Sequence, residues 1–225
     1  MKKTALAAFV AIGFAVMAFV APKAYADSGF EGIVTYSISV DNPQMAPMLQ
    51  GASMKTYIKG DKTKTCSDMG MSKTTVITDK DNPDGSVFLI ELMGNKYQLK
   101  NDKTKKDDEK GPEIKYTDET KQIAGYTCHK AEVTITDQQG QSYTANVYYT
   151  EELPATQGKG VPFKGLKGFP LEYSMKQQGM TILMSATSVT KQAVPDDTFT
   201  VPSGYKLMTA EEMQQDIQKN MGDGN

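Results

Sequence analysis

The sequence predicts a mainly β protein: one large antiparallel sheet with a single helix at its C-terminus. Three observations predict it. Short runs of alternating apolar and polar residues recur along the chain, turn signals rich in Gly, Pro, Asn and Asp separate them, and one stretch near the end carries a capped helical pattern. Regular spacing and small connecting turns suit neighbouring strands joined as hairpins.

Residues 1–26 stand apart from that rhythm. Lys2 and Lys3 precede an apolar run from Ala5 to Ala21, which closes on Ala24-Tyr25-Ala26 before Asp27. Positive charge, an apolar core and small residues at a cleavage site make a secretory signal peptide cut after Ala26. The run is nearly long enough to span a bilayer, so an uncleaved anchor is the alternative. No Cys stands near the junction to take a lipoprotein's lipid, and no apolar span remains after cleavage. The expectation is an exported, soluble protein of the periplasm or the exterior, with residues 27–225 as a single domain.

Taking the elements in order, Phe30, Val34, Tyr36, Ile38 and Val40 share one face of a strand from Phe30 to Val40, with Thr35, Ser37 and Ser39 largely on the other. A loop with Pro and Met follows, then a strand Met54–Ile58, a turn at Lys59-Gly60-Asp61 and a polar strand through Cys66. Thr74–Thr78 is next, and Asp81-Asn82-Pro83-Asp84-Gly85 is a strong turn signal. Val87–Met93 is apolar on both faces and reads as a central strand, with Asn95–Leu99 pairing back through Gly94. Further strands are expected at Ile114–Tyr116, His129–Thr136, Tyr143–Thr150, Leu171–Met175 and Ile182–Thr190.

Two segments interrupt the pattern. Residues 101–113 are almost wholly charged and read as a surface loop with nothing to bury. Residues 153–170 hold four Gly and three Pro around Val161, Phe163, Leu166 and Phe169. Such a segment suits a flap over an apolar groove, or a loop packing its own side chains on the core. The helix follows near the C-terminus. Thr209 caps it, Glu212 completes a capping box, Met213, Ile217 and Met221 form a narrow apolar stripe, and Gly222 ends it. That stripe would dock on the sheet or close one end of it.

Composition narrows the function. Lys+Arg number 25 and all are Lys, there is no Trp, and His129 is the single His. Without Arg, bidentate clamps for phosphate and carboxylate are missing. One His leaves little for acid–base catalysis or zinc. Glu151-Glu152, Asp196-Asp197 and Asp107-Asp108-Glu109 lie in loops or turns, where carboxylates are solvated. His129 follows Cys128 directly, and adjacent strand residues face opposite ways, so the two form no nucleophile–base pair. His129 is expected on the core face with Ala131, Val133 and Ile135. An acidic balance argues against nucleic acid and anionic membrane as partners. No enzyme, cofactor or resident metal is expected.

Four stretches carry a family resemblance: Phe30-Glu-Gly-Ile-Val-Thr-Tyr36, Thr120-Lys-Gln-Ile-Ala-Gly-Tyr-Thr-Cys128-His-Lys-Ala131, Gly165-Leu-Lys-Gly-Phe-Pro-Leu-Glu-Tyr173 and Phe199-Thr-Val-Pro-Ser-Gly-Tyr-Lys206. They resemble an exported bacterial protein family of unknown function that is similar in turn to the LolA/LolB-like fold. The resemblance implies a strongly curved antiparallel sheet, an open half-barrel with an apolar concave face. In LolA and LolB that face takes up lipoprotein acyl chains.

Methionine points independently to an apolar cavity. Of 14 Met, those at 45, 48, 54, 93, 175, 180 and 184 lie within or beside the strands, several near Tyr. Met fits irregular apolar shapes and is over-used on adaptable binding surfaces, though it also fills gaps in ordinary cores. If the sheet forms a cup, an apolar or lipid-like ligand would meet Tyr36 and Ile38, Phe88 and Ile90, Val147 and Tyr149, Tyr173 and Met175, and Ile182 and Met184. Met45-Ala-Pro-Met48 and Cys66-Ser-Asp-Met69-Gly-Met71 place soft ligands close together, so a soft-metal (copper) or envelope-stress protein using Met and Cys is an alternative. A structural envelope component without ligand is another. Two cysteines in an oxidising compartment suggest a Cys66–Cys128 disulfide, with two buried free thiols as the other possibility.

Overall fold

The computed structural model describes residues 29–82, 85–100, 111–136, 142–155, 163–177 and 180–222. The expected leader and its cleavage site, the charged stretch 101–110, and the Pro83-Asp84 centre of one turn lie outside them.

Twelve strands form one sheet. They are β1 (Glu31–Val40), β2 (Ser53–Lys59), β3 (Lys62–Asp68), β4 (Ser72–Asp79), β5 (Val87–Leu92), β6 (Asn95–Leu99), β7 (Glu113–Ile123), β8 (Tyr126–Thr136), β9 (Ser142–Thr150), β10 (Phe169–Gln177), β11 (Met180–Lys191) and β12 (Lys206–Met208). The order across the sheet is β12-β6-β5-β4-β3-β2-β1-β11-β10-β9-β8-β7. Every pairing is antiparallel except β12 with β6. Hairpins account for most neighbours, and the β1–β11 pairing joins the two halves through the longest sequence separation. The sheet does not close, since β12 and β7 remain as edges.

Curvature shows in contacts that skip strands. Tyr173 on β10 and Met54 on β2 are three inter-strand steps apart, about 14 Å along a flat sheet. The Tyr173 hydroxyl nevertheless meets the Met54 sulfur at 3.6 Å. Ile123 and Cys128, at the β7–β8 end, join the core of Val34, Tyr36, Ile58 and Leu171. The result is the open, curved, antiparallel sheet that the LolA/LolB resemblance implies, with the C-terminal helix expected from its capping box.

Turn chemistry follows the residues. Met93-Gly94 and Ala124-Gly125 both place two successive residues at positive φ, the geometry of a tight type I′ hairpin turn. Pro170 lies inside β10, which its missing N–H would disfavour, and a register shift between Pro170 and Glu172 accommodates it.

After β11 the chain crosses the convex face. The Gln192 N–H donates to the Glu31 carbonyl, the Val194 N–H to the Glu31 carboxylate, and Lys59 pairs with Asp196 at 2.8 Å. Farther along, the Tyr205 hydroxyl donates to Glu91 on β5. Alternation puts Glu31, Lys59 and Glu91 opposite Val34, Ile58 and Phe88, so this strap lies on the back of the sheet. It ends as β12, and helix α1 (Ala210–Gly222) turns onto the concave side. There Asp216 accepts from the Tyr97 hydroxyl at 2.8 Å, and Ile217 stands near Leu92 and Tyr97. The capping box forms in both directions: the Thr209 N–H donates to the Glu212 carboxylate, and the Glu212 N–H donates to Thr209 Oγ1.

Two sequence expectations need correction. β7 runs through Ile123 rather than stopping at Tyr116; residues 117–122 are polar on both faces, as a sheet edge permits. His129 is exposed, not a core residue, and its ring stands 6.1 Å from that of Tyr149.

Candidate functional site

The concave face encloses a cavity of about 670 Å³. Its floor draws on β1 to β5, β10 and β11, and residues Phe163 to Pro170 form a further wall. Pairing registers show why these side chains converge. Tyr36 lies opposite Met54 and Ala186, Ile38 opposite Met184, Tyr173 opposite Met184, and Met175 opposite Ile182. Directly paired residues share a face, so one side of these strands turns apolar atoms inward.

Of the residues expected at the site, Tyr36, Ile38, Phe88, Tyr173, Met175, Ile182 and Met184 line the cavity together. Val147 and Tyr149 do not line it. They share the concave face but lie buried in an adjacent cluster with Phe163 and Leu166 packed on it. Ile90 also lies off the cavity, opposite Tyr97 where α1 docks.

The described end of the Gly/Pro-rich segment, residues 163–170, does both things its composition suggested. Phe163 and Leu166 are 6% and 5% exposed, packed over Ala131, Val133 and Val147, while their other surfaces line the cavity. The Phe163 ring meets Tyr173 edge-on, with centroids 5.0 Å apart. Tyr116 anchors the segment, its hydroxyl accepting from the Lys167 N–H at 3.2 Å. Gly168 lets the chain descend to the sheet: a Cβ there would sit 2.2 Å from the Thr150 carbonyl oxygen. Val161 lies outside the described residues.

The site holds little charge. Among the described residues that line it, Lys176 alone is ionic. The Tyr36 hydroxyl donates to the Pro170 carbonyl at 2.8 Å. Burial, with Tyr173 and Cys128 adding smaller effects, holds the Tyr36 phenol well above its ordinary value, and burial raises Tyr173 likewise. Both phenols are therefore neutral and act as amphipathic walls.

Sequence reasoning missed the opposite wall. Thr56, Thr63, Thr65, Ser67, Ser72, Thr74 and Thr78 all face the cavity from β2, β3 and β4. Alternating Thr and Ser read as a solvent face, and only strand order shows that this face turns inward. Glu172 was also missed: it is buried, paired with Lys121, and accepts from Ser185 at 2.7 Å, tying β7, β10 and β11 together.

The expected disulfide is absent. Cys66 and Cys128 are both free thiols. β3 and β8 are six inter-strand steps apart, roughly 29 Å along the sheet, whereas a disulfide needs Cα atoms within about 7 Å. The Thr75 hydroxyl donates to the Cys66 sulfur at 3.6 Å, on the face opposite Thr65 and Ser67. Cys128 is buried, and burial followed by the Glu172 and Glu152 carboxylates pushes its thiol up to about 12.

The soft ligands do not assemble either. Met69 lines the cavity, Met71 is 75% exposed, and Cys66 points to the other face. The side chain of Met48 lies outside the described residues. Among the described residues no group of three or more His, Cys, Asp and Glu is placed to hold a metal. No helix among them is long and apolar enough to cross a membrane.

No family model matches the chain, and no curated protein does. Solved structures with a partial likeness include the lipoprotein LppX of Mycobacterium tuberculosis, 12% identical, with 75% of this chain and 90% of that one covered at a TM-score of 0.38. A DUF1329 family protein from Desulfovibrio piger is 10% identical, with 78% and 91% covered and a TM-score of 0.36. The MucA/MucB complex of Pseudomonas aeruginosa matches at 12% identity, with 81% and 58% covered and a TM-score of 0.31. At these scores the likenesses carry no argument about what the chain binds.

Proposed function

We propose that this chain is an exported, non-catalytic binding protein whose concave cavity takes up an apolar or amphiphilic ligand such as a lipid or acyl group. The observation that carries the reading is the cavity itself. It measures about 670 Å³ and is walled by Tyr36, Ile38, Phe163, Tyr173, Met175, Ile182 and Met184. Ligand pockets fall between roughly 300 and 1,000 Å³ and are mostly apolar with a few placed polar groups. The signal-peptide pattern of residues 1–26 supports an envelope or extracellular setting, where such ligands need shielding from water.

A neutral hydrophobic dye, Nile red, tests the proposal on the folded protein. Wild type is expected to take up the dye with a blue shift and saturable binding. Ile38→Asp places a carboxylate on the cavity wall and is expected to abolish uptake, because the dye cannot offset that charge. Leu183→Asp, on the outer face of β11, is expected to leave binding unchanged. Thermal melts of all three proteins separate lost binding from lost folding. Absence of uptake by folded wild type would overturn the proposal.

A further inference from the structure

The cavity has two chemically distinct walls. Along β10 and β11 it presents Tyr173, Met175, Ile182 and Met184. Along β3 and β4 it presents mostly hydroxyls, with Val76 and the turn residue Met69 among them. Thr63 pairs with Thr78 at 2.5 Å, and Thr65 pairs with Thr56 on β2 at 3.0 Å. Ser67, Ser72 and Thr74 make no side-chain hydrogen bond in the described structure, and all three are half-buried on the cavity lining. Ser67 lies directly opposite Thr74, and Ser72 is the next residue on the same face of β4. Three unpaired hydroxyls therefore line one stretch of wall.

A hydrocarbon laid over that stretch would strip water from these groups and give nothing in return, which costs the full desolvation of each. A ligand carrying oxygen atoms there would replace the water with hydrogen bonds. A charged headgroup would gain hydrogen bonds too, but would find no opposite charge beside this wall to offset its desolvation. The one ionic lining residue, Lys176, lies on β10, four inter-strand steps from β3, and already shares its surroundings with Asp41.

Building on the proposed binding role, we infer that the occupant is an uncharged amphiphile, with its free hydroxyl or sugar oxygens against Ser67, Ser72 and Thr74. Its hydrocarbon lies along β10 and β11. The wall is specific for oxygen-rich neutral headgroups and disfavours a free carboxylate.

Displacement of Nile red by three chain-matched probes below their aggregation concentrations tests this. Monooleoylglycerol is expected to displace the dye at about tenfold lower concentration than methyl oleate, the gain of one or two good hydrogen bonds. Oleate at pH 8 is expected to do no better than the methyl ester. The double variant Ser67→Ala/Thr74→Val should bring monooleoylglycerol to the level of methyl oleate when each probe is referred to that variant's own dye affinity, which is expected to stay equal or rise as the wall becomes apolar. Ser72→Ala, beside the β3–β4 turn, should lower monooleoylglycerol affinity about threefold by itself and serves if the double variant melts early. Equal displacement by all three probes, a preference for oleate, or a monooleoylglycerol preference that survives both variants would overturn the inference and leave the binding proposal standing. Failure of folded wild type to take up Nile red would overturn both.

Discussion

At the residue scale, Tyr36 and Cys128 are where burial dictates chemistry. The Tyr36 hydroxyl is buried and spans from β1 to the Pro170 carbonyl. Tyr36→Phe removes the donor and leaves that carbonyl unpaired, at about 1–2 kcal/mol, which is a fall in Tm of roughly 2–8 °C for a domain of this size. Calorimetry on the pure protein checks it, and an unchanged Tm would mean that water replaces the bond. For the cysteines, thiol titration of unfolded, unreduced protein is expected to find two free thiols per chain. In the folded state Cys128 is expected to resist alkylation at pH 8, since the thiolate is the reactive form and its thiol is pushed up to about 12. Rapid native alkylation of Cys128 would contradict its burial. Residue identity alone suggested a bond here, because compartment and count carry no information about strand order.

At the element scale, periodicity made most strands legible. Tyr36 and Ile38, or Ile182 and Met184, sit two apart on a half-buried face, and that spacing marks a strand wherever one side is buried. It failed for residues 117–122, which are polar on both faces, and for β12, too short to show a period. The helix was legible because Thr209 and Glu212 satisfy each other's backbone N–H groups locally. Thr209→Ala removes one of these bonds and is expected to cost about 1 kcal/mol of helix stability. Because α1 covers the sheet only through one side, the loss should appear in hydrogen exchange of amides near Met213 before it appears in global Tm. Unchanged exchange there would mean that docking on Tyr97, rather than the cap, holds the first turn.

At the scale of the whole molecule, the interior is built to stay neutral. Tyr36, Tyr173 and Cys128 all titrate above their ordinary values of 10.0 and 9.0, with burial the largest cause. The sign follows directly. Below about pH 8 these groups are protonated in folded and unfolded chains alike, so the stability they permit is fully present. Above it the unfolded chain releases the protons first, and folding is penalised as pH rises. Tm is expected to fall progressively from pH 9 to 11. In Tyr173→Phe, which keeps the ring and loses the phenol, the fall should be shallower. A profile flat across that range would show that these groups titrate freely in the native state.

The sequence by itself determined the elements: alternation in residues 31–40 or 180–191 forces strands, Gly94 and Gly125 permit tight reversals, and Thr209 starts a helix. These are local effects, decided within a few residues. It also marked Phe163 and Leu166 as apolar side chains on a loop that had to cover something. Tertiary structure decided the rest. Alternation says which residues share a face and not which way the sheet bends, so it could not show that the Thr/Ser face of β3 and β4 turns inward to meet Tyr173 and Met184. Strand order, set by the long-range β1–β11 pairing, separates Cys66 from Cys128, and the docking of α1 on Tyr97 takes Ile90 away from the cavity. Each of these depends on contacts between residues far apart in the chain, which no local pattern encodes.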